Sequence, residues 1–305
     1  MAQFKAKLTN TKNSLILGKN TPMGTLIDGK KIATAINRRT ARRVRVLHQN
    51  GHTPHLGVIL IGNNPASETY VRKKGEIAKT LGIDFTLFRF DTTTTEETIL
   101  KKIKSIQRSK KISGLIIQLP VPKHLETTTL INAVQPEFDI DCLNESSIGR
   151  MVLGKNMFIP PTAGAILEII ASLGISVAGK DICLVGMGLL VGKPLSIILP
   201  NLKASITTCN SQTKNLKAKC LSADILISGV GKKNLIRGNM VKPGSIIIDA
   251  GVAIEDNKVF GDVNIEEVIK KAQAVTPTPG GVGPITIALL LYNTLLAAEN
   301  RYQEK

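Results

Sequence analysis

Apolar positions along this chain recur in two rhythms, one with the period of a helix and one with the unbroken run of a buried strand. From Gly29 to about Asn50 apolar residues recur at helical spacing among basic ones, and Gly51 with Pro54 closes the segment. His55 to Ile61 (HLGVILI) is a short continuous apolar run, ended by Gly62-Asn63-Asn64-Pro65, and predicts a buried strand. Ala66 to Leu81 predicts a helix stopped by Gly82, and Phe85 to Phe90 a strand. Thr95-Glu96-Glu97 opens a helix through Ile106, and Gly114 to Leu119 (GLIIQL) is a strand ended by Pro120 and Pro122. Strands alternating with helices in this way predict βαβ units and a parallel sheet covered on both faces.

The alternation restarts after a break between roughly Asp141 and Pro161. Thr162 to Leu173 predicts a helix capped at Gly174, and Asp181 to Val185 a strand. Further strands are expected at 205–209, 224–228, 245–249 and 274–276, with short helices between and a long apolar helix from Pro284 to about Asn300. The fold class is therefore α/β, in two domains. The first 22 residues are expected to form a flexible extension. They carry four lysines and no acid, without the apolar stretch of a secretory signal or the arginines of a transit peptide.

Composition narrows the function. Hydrophobic residues make up 43% of 305, enough for packed cores, but aromatics are only 3% with no Trp. The core must be aliphatic, and a stacking platform for single-stranded nucleic acid has few rings to use. The net charge of +17 is scattered; its densest run, Arg38-Arg39-Thr40-Ala41-Arg42-Arg43, has helical spacing and reads as a solvated helix face. No nucleic-acid partner is expected. No membrane partner is expected either: the stretch Ile285 to Ala298 is broken by Thr286, Asn293 and Thr294 and falls short of the ~20 apolar residues of a span. Cys142, Cys183, Cys209 and Cys220 are far apart in sequence, with no pair at metal or redox spacing, which favours a reducing, cytoplasmic location. His48, His52 and His55 cluster without an accompanying thiol or carboxylate, so no metal is expected.

Two places carry chemistry. After the Asp181–Val185 strand comes Gly186-Met187-Gly188-Leu189-Leu190-Val191-Gly192 and then a helix. That is the context of a dinucleotide-binding turn: one glycine for the bend, one for close approach of the pyrophosphate, and a helix N-terminus for its charge. The next strand ends in Cys209-Asn210-Ser211-Gln212-Thr213-Lys214, with no acid to grip a ribose diol. Ser211, Thr213 and Lys214 suit a 2′-phosphate instead, which favours NADP over NAD. The second place is the predicted 66–81 helix. Tyr70 and Lys74 are four apart and share a face, which on spacing alone reads as a surface pair, while Glu76 and Lys73 look like solvent-facing partners. The set is joined by Gln118, polar at the end of an apolar strand, and by Asp139 and Asp141. A lysine removed from water loses basicity and becomes a usable base near neutrality.

Together, PASETYVRKKGEIAKTLGI, GLIIQLPVP, PEFDIDCLN, VGKP, KPGSIIIDAGV, GDV and TPTPGGVGPIT follow in order from Met23 almost to the end. In these motifs the chain resembles the methylenetetrahydrofolate dehydrogenase/cyclohydrolase family. The resemblance implies a folate-binding catalytic domain at 23–143, completed by the terminal helix 284–305. It also implies an NADP-binding Rossmann-like domain at 144–283, a cleft between the two, and a homodimer acting on tetrahydrofolate derivatives. Carried over, Lys74 is the catalytic lysine, Gln118 tunes its protonation and Ser67 supports it. Tyr70 stacks on the aminobenzoyl ring and Asp141 grips the pterin. Ile117, Leu119 and Pro279, Gly280, Gly281, Val282 and Gly283 line the substrate site. Gly186, Met187, Gly188, Ser211, Thr213 and Val252 meet the cofactor.

The chain departs from the family at several of these places. Met187 stands where an arginine usually holds the 2′-phosphate, so weakened NADP use, with NAD as a substitute, is expected. Asn210 replaces a histidine, Pro161 and Ala163 alter a P-C-T-P string, and Phe138 and Cys142 flank the acid pair where Lys and Gly are usual. If that glycine takes positive φ, Cys142 carries strain of about 1 kcal/mol. The competing readings are a shikimate-dehydrogenase-like oxidoreductase, disfavoured by PGGVGP, and a cyclohydrolase-dominant or non-catalytic binding homologue with a degraded NADP site.

Overall fold

The structure is a computed structural model that describes residues 24–109, 111–255 and 258–303; the expected extension, 1–22, lies outside the described residues. In chain order the strands are β1 (Thr25–Leu26), β2 (His55–Ile61), β3 (Asp84–Phe90), β4 (Gly114–Ile117), β5 (Asp181–Val185) and β6 (Ser205–Cys209). They continue as β7 (Ile225–Ser228), β8 (Ile246–Asp249), β9 (Ala253–Glu255), β10 (Lys258–Phe260) and β11 (Ala274–Val275). The chain divides into two compact units, one of residues 34–160 with 287–305 and one of 161–286 with the residues up to 33.

The first unit is built on a three-stranded parallel sheet, β3-β2-β4. Six of the seven β2 residues are buried, as an all-apolar strand covered on both faces requires. The helix Pro65–Leu81 opens with Asn64 accepting the Ser67 amide and Pro65 in its first turn, and Gly82 closes it at φ 76°; all three are standard helix punctuation. Helix Glu96–Arg108 begins after Thr95, whose hydroxyl accepts the Thr98 amide. Ile99, Ile103 and Ile106 of that helix pack with Ile59, Leu115 and Leu130 in the aliphatic core. Glu76 pairs with Arg72 at 2.7 Å, not with Lys73, because the i−4 guanidinium reaches along the helix face better than the i−3 amine.

The terminal helix, Val282–Gln303, is longer than its apolar run suggests. By length and composition alone it reaches the size of a membrane span, yet two-thirds of its apolar window is buried within the protein. Its interrupting polar residues are satisfied inside. Thr294 donates to Leu290 O, and Asn293 donates through Nδ2 to Ile140 O and Ile159 O, both at 2.9 Å. Arg43 of helix Gly29–Gln49 binds Glu299 through two nitrogens and Tyr292 Oη at 2.7 Å, so part of the basic run serves packing as well as solvation.

The second unit is a six-stranded sheet in the order β1-β11-β8-β7-β5-β6, parallel throughout. The antiparallel pair β9–β10 stands apart from it. Three cysteines that are distant in sequence converge in this core: Cys183, Cys209 and Cys220 belong to one cluster, with 3.8 Å between the first two sulfurs. All are free thiols, and burial holds that of Cys209 up to about 11.

Candidate active site

Lys74 lies on the buried face of helix Pro65–Leu81 and is only 9% exposed. Its Nζ donates to Gln118 Oε1 at 2.9 Å, while Gln118 Nε2 donates to Leu119 O at 2.9 Å. That second bond fixes which end of the amide faces the lysine. Ser67, buried at the start of the helix, directs its hydroxyl to the same Leu119 carbonyl at 3.5 Å. Ser67 therefore borders the lysine through the backbone that carries Gln118. Tyr70, one turn before Lys74, is half-buried, and burial raises its phenol. Ile117 packs its side chain into the aliphatic core, with Leu119 against it.

The acid pair sits on a tight turn that follows the short helix Thr127–Asn132. Asp139, 3% exposed, accepts the amides of Leu143 (3.2 Å) and Asn144 (2.9 Å). The turn drives Cys142 to φ 58°, the left-handed conformation in which a glycine is free of strain. Asp141 is close enough to Lys74 for each charge to act on the other. Burial lowers the Lys74 pKa, with Asp141 opposing. Burial lifts Asp141 to about 6, with Lys74 opposing and Asp139 adding to the rise. The result is an amine stripped of water beside an amide oxygen and a carboxylate, a set able to hold or accept a proton near neutrality.

The other sequence-derived residues belong to the second unit, on loops that follow its strands, where parallel α/β sheets bind ligands. Gly186 has φ 95°, outside the range of ordinary residues. A Cβ on Gly192 would lie 2.0 Å from Gly186 O, so the turn and the helix Gly192–Asn201 close on each other only without side chains there. A Cβ on Gly188 would meet nothing within 4 Å. Val191, at that helix's N-cap, makes no side-chain cap. These residues fit a pyrophosphate: a bend, an open approach at Gly188, and a helix start not capped by its own side chain.

After β6, Thr213 Oγ1 accepts the Asn210 amide at 2.8 Å and Asn210 Oδ1 accepts that of Gln212 at 2.9 Å. Ser211 and Lys214 are left exposed on this turn. Met187 is half-buried beside Gly188, and Val252, after β8, is exposed. Pro279 to Gly283 follow β11; the Thr278–Pro279 peptide is cis and Gly280 has φ 107°. The histidines are used elsewhere: His55 meets Thr86 Oγ1 at 2.7 Å, and His52 stacks on Tyr302 at 3.5 Å. Among the described residues no group of three or more His, Cys, Asp or Glu could hold a metal.

Three further residues, Asn293, Asp249 and Asp262, carry structural weight. Asn293 braces the Asp141 turn by holding Ile140 O; a polar residue in an apolar helix was its signal. Asp249 and Asp262 are 1% and 0% exposed. They sit in the quoted motifs KPGSIIIDAGV and GDV, where acids amid apolar residues mark them.

A parallel sheet bearing a glycine-rich phosphate turn, with a desolvated Lys–Gln–Asp set in the other unit, defines a nucleotide-dependent enzyme that performs proton chemistry. The tetrahydrofolate dehydrogenase/cyclohydrolase catalytic domain matches residues 27–141, and the NAD(P)-binding domain of the same description matches 160–302. The chain belongs to the tetrahydrofolate dehydrogenase/cyclohydrolase family. It is 44% identical to the bifunctional protein FolD of Nautilia profundicola, over 92% of this chain and 99% of that one. A solved structure of the bifunctional enzyme FolD from Campylobacter jejuni superposes with a TM-score of 0.88 at 35% identity, covering 91% of this chain and 99% of that one. The Trypanosoma brucei enzyme, solved with NADP and an inhibitor, gives 0.90 at 29%, covering 93% of this chain and 100% of that one.

Proposed function

We propose that this chain is a bifunctional one-carbon folate enzyme. It oxidises 5,10-methylenetetrahydrofolate to the 5,10-methenyl form with NADP and hydrolyses that product to 10-formyltetrahydrofolate. The observation that carries this reading is the buried Lys74 amine, 2.9 Å from Gln118 Oε1 and in electrostatic contact with Asp141.

NADP supplies the hydride acceptor for the first step. Gly186, Gly188 and the start of helix Gly192–Asn201 would hold its pyrophosphate, and Ser211, Thr213 and Lys214 its 2′-phosphate, without the arginine that Met187 replaces. Asp141 accepts hydrogen bonds from the pterin, and Tyr70 stacks on the aminobenzoyl ring.

In the second step water adds to the methenyl carbon. Lys74, its basicity lowered by burial, takes the proton of that water, and Gln118 holds the amine in line. Collapse of the adduct breaks the bond from carbon to N5, N5 gains a proton, and the formyl group stays on N10. The overall step consumes one water and releases one proton. Such general-base assistance is worth about 10² to 10⁴ in rate.

The chain works as a cytoplasmic homodimer, without nucleic-acid or membrane partners. The family relationship supports the dimer, and sedimentation at twice 32.8 kDa tests it. The activity itself is tested by following methenyl-folate absorbance with purified protein. Formation from the methylene substrate must require a nicotinamide cofactor, while decay of added methenyl substrate must not.

A further inference from the structure

Asp262 has the most heavily engaged carboxylate of the second unit, and the NADP reading gives it no role. Its Oδ2 accepts the Ser228 hydroxyl at 2.6 Å and the Val230 amide at 2.7 Å. Its Oδ1 accepts the amides of Gly231 at 2.8 Å and Lys232 at 2.7 Å. Three consecutive amides of the loop after β7 therefore point inward at one buried acid.

Asp249 anchors that acid in turn. It accepts the amides of Gly251, Asp262 and Val263 at 3.0 to 3.1 Å. The two acids fit only because glycines surround them. A Cβ on Gly251 would lie 2.1 Å from Asp262 Cγ, and one on Gly261 would lie 1.9 Å from Asp249 Oδ2.

The consequence follows from peptide geometry. In a trans peptide the N–H and the preceding C=O point in opposite directions, and every peptide of this loop is trans. With the amides of residues 230, 231 and 232 on Asp262, the carbonyls of Gly229, Val230 and Gly231 face the other way. Among the described residues no hydrogen bond is donated to those three oxygens. Gly229 O lies 2.7 Å from where a Cβ on Gly186 would be, so the row begins against the dinucleotide turn. Val230 is 46% exposed. A loop with its donors turned inward repels phosphate and suits a ligand that brings donors of its own.

We propose that Asp262 is a positioning residue that sets the 229–231 carbonyls as acceptors for the hydrogen-bond donors, ribose hydroxyls and carboxamide, of the cofactor's nicotinamide half. This rests on the NADP reading above. In Asp262→Asn the new NH₂ would face an amide or hydroxyl donor that the carboxylate now accepts, and the loop has to turn.

The test is titration of the full-length protein with NADP and with adenosine 2′,5′-bisphosphate, which lacks the nicotinamide half. Asp262→Asn should weaken NADP about tenfold, equivalent to about 1.4 kcal/mol, and leave the bisphosphate within twofold. Ser228→Ala, which removes one donor and keeps the three amides, should weaken NADP about threefold with the same selectivity, and it decides the matter if the first variant does not fold. Equal weakening of both ligands, or of neither, overturns the proposal. Wild-type protein that binds neither ligand overturns the NADP reading with it; wild-type binding matched by both variants overturns the loop proposal alone.

Discussion

At the scale of single residues, the chemistry rests on how far Lys74 and Asp141 depart from their behaviour in water. Asp141 ionises at about 6 because burial outweighs the help of Lys74. A raised acid is neutral below that pH and charged above it, and the neutral acid accepts hydrogen bonds from a pterin poorly. The Michaelis constant for folate should therefore rise as pH falls through about 6, and Asp141→Asn should have a high constant that no longer varies there. A pH series of initial rates separates the two. Removing Lys74 removes the influence that lowers the acid, so in Lys74→Met the Asp141 carboxyl should titrate above about 6, as carbon-13 NMR would report. Spacing alone made Tyr70 and Lys74 a surface pair, whereas Lys74 is only 9% exposed; the roles given to Lys74, Tyr70, Gln118 and Asp141 came from the family's motifs. The bracing role of Asn293 was not legible, since a residue 153 positions from Ile140 reveals its partner only after folding.

Among elements, the glycine turn separates packing from binding. Gly192→Ala would drive a methyl into Gly186 O, and overpacking against backbone costs about 1 to 3 kcal/mol. Gly188→Ala meets open space. We expect Gly192→Ala to lower the melting temperature and weaken NADP together. Gly188→Ala should keep the melting temperature and raise the Michaelis constant for NADP alone. Thermal denaturation beside cofactor titration distinguishes them. The strands were readable to within one or two residues at most ends because their apolar runs are continuous and Gly, Pro or Asn ends them. Strand β1 was not, for it is two exposed residues long and held by backbone pairing to β11, and neither were β9 and β10, three residues each and paired only with one another. Helix Glu145–Val152, capped by Asn144, fell inside the stretch read as a break, where its short amphipathic run gave too few turns to show a period.

For the whole molecule, the net charge of +17 has a use if the folate carries an anionic glutamate tail. Long-range attraction of that kind is screened over about 8 Å at physiological salt. The Michaelis constant for a polyglutamylated substrate should rise with added salt more steeply than for the monoglutamate; equal slopes would leave the charge to solubility. Two α/β units and a phosphate turn were visible in the alternation of elements, and the family in its motifs. Replacement of the usual arginine by Met187 was visible too, but its effect depends on how Ser211, Thr213 and Lys214 share the 2′-phosphate, which rates with NADP and NAD side by side measure. The central claim is that the buried amine at position 74 performs the hydrolysis. Cofactor-free decay of methenyl-folate absorbance, compared between wild type and a folded Lys74→Met variant, tests it most directly. We predict rapid decay for the wild type and a loss of at least about 100-fold in the variant; equal rates would contradict the assignment.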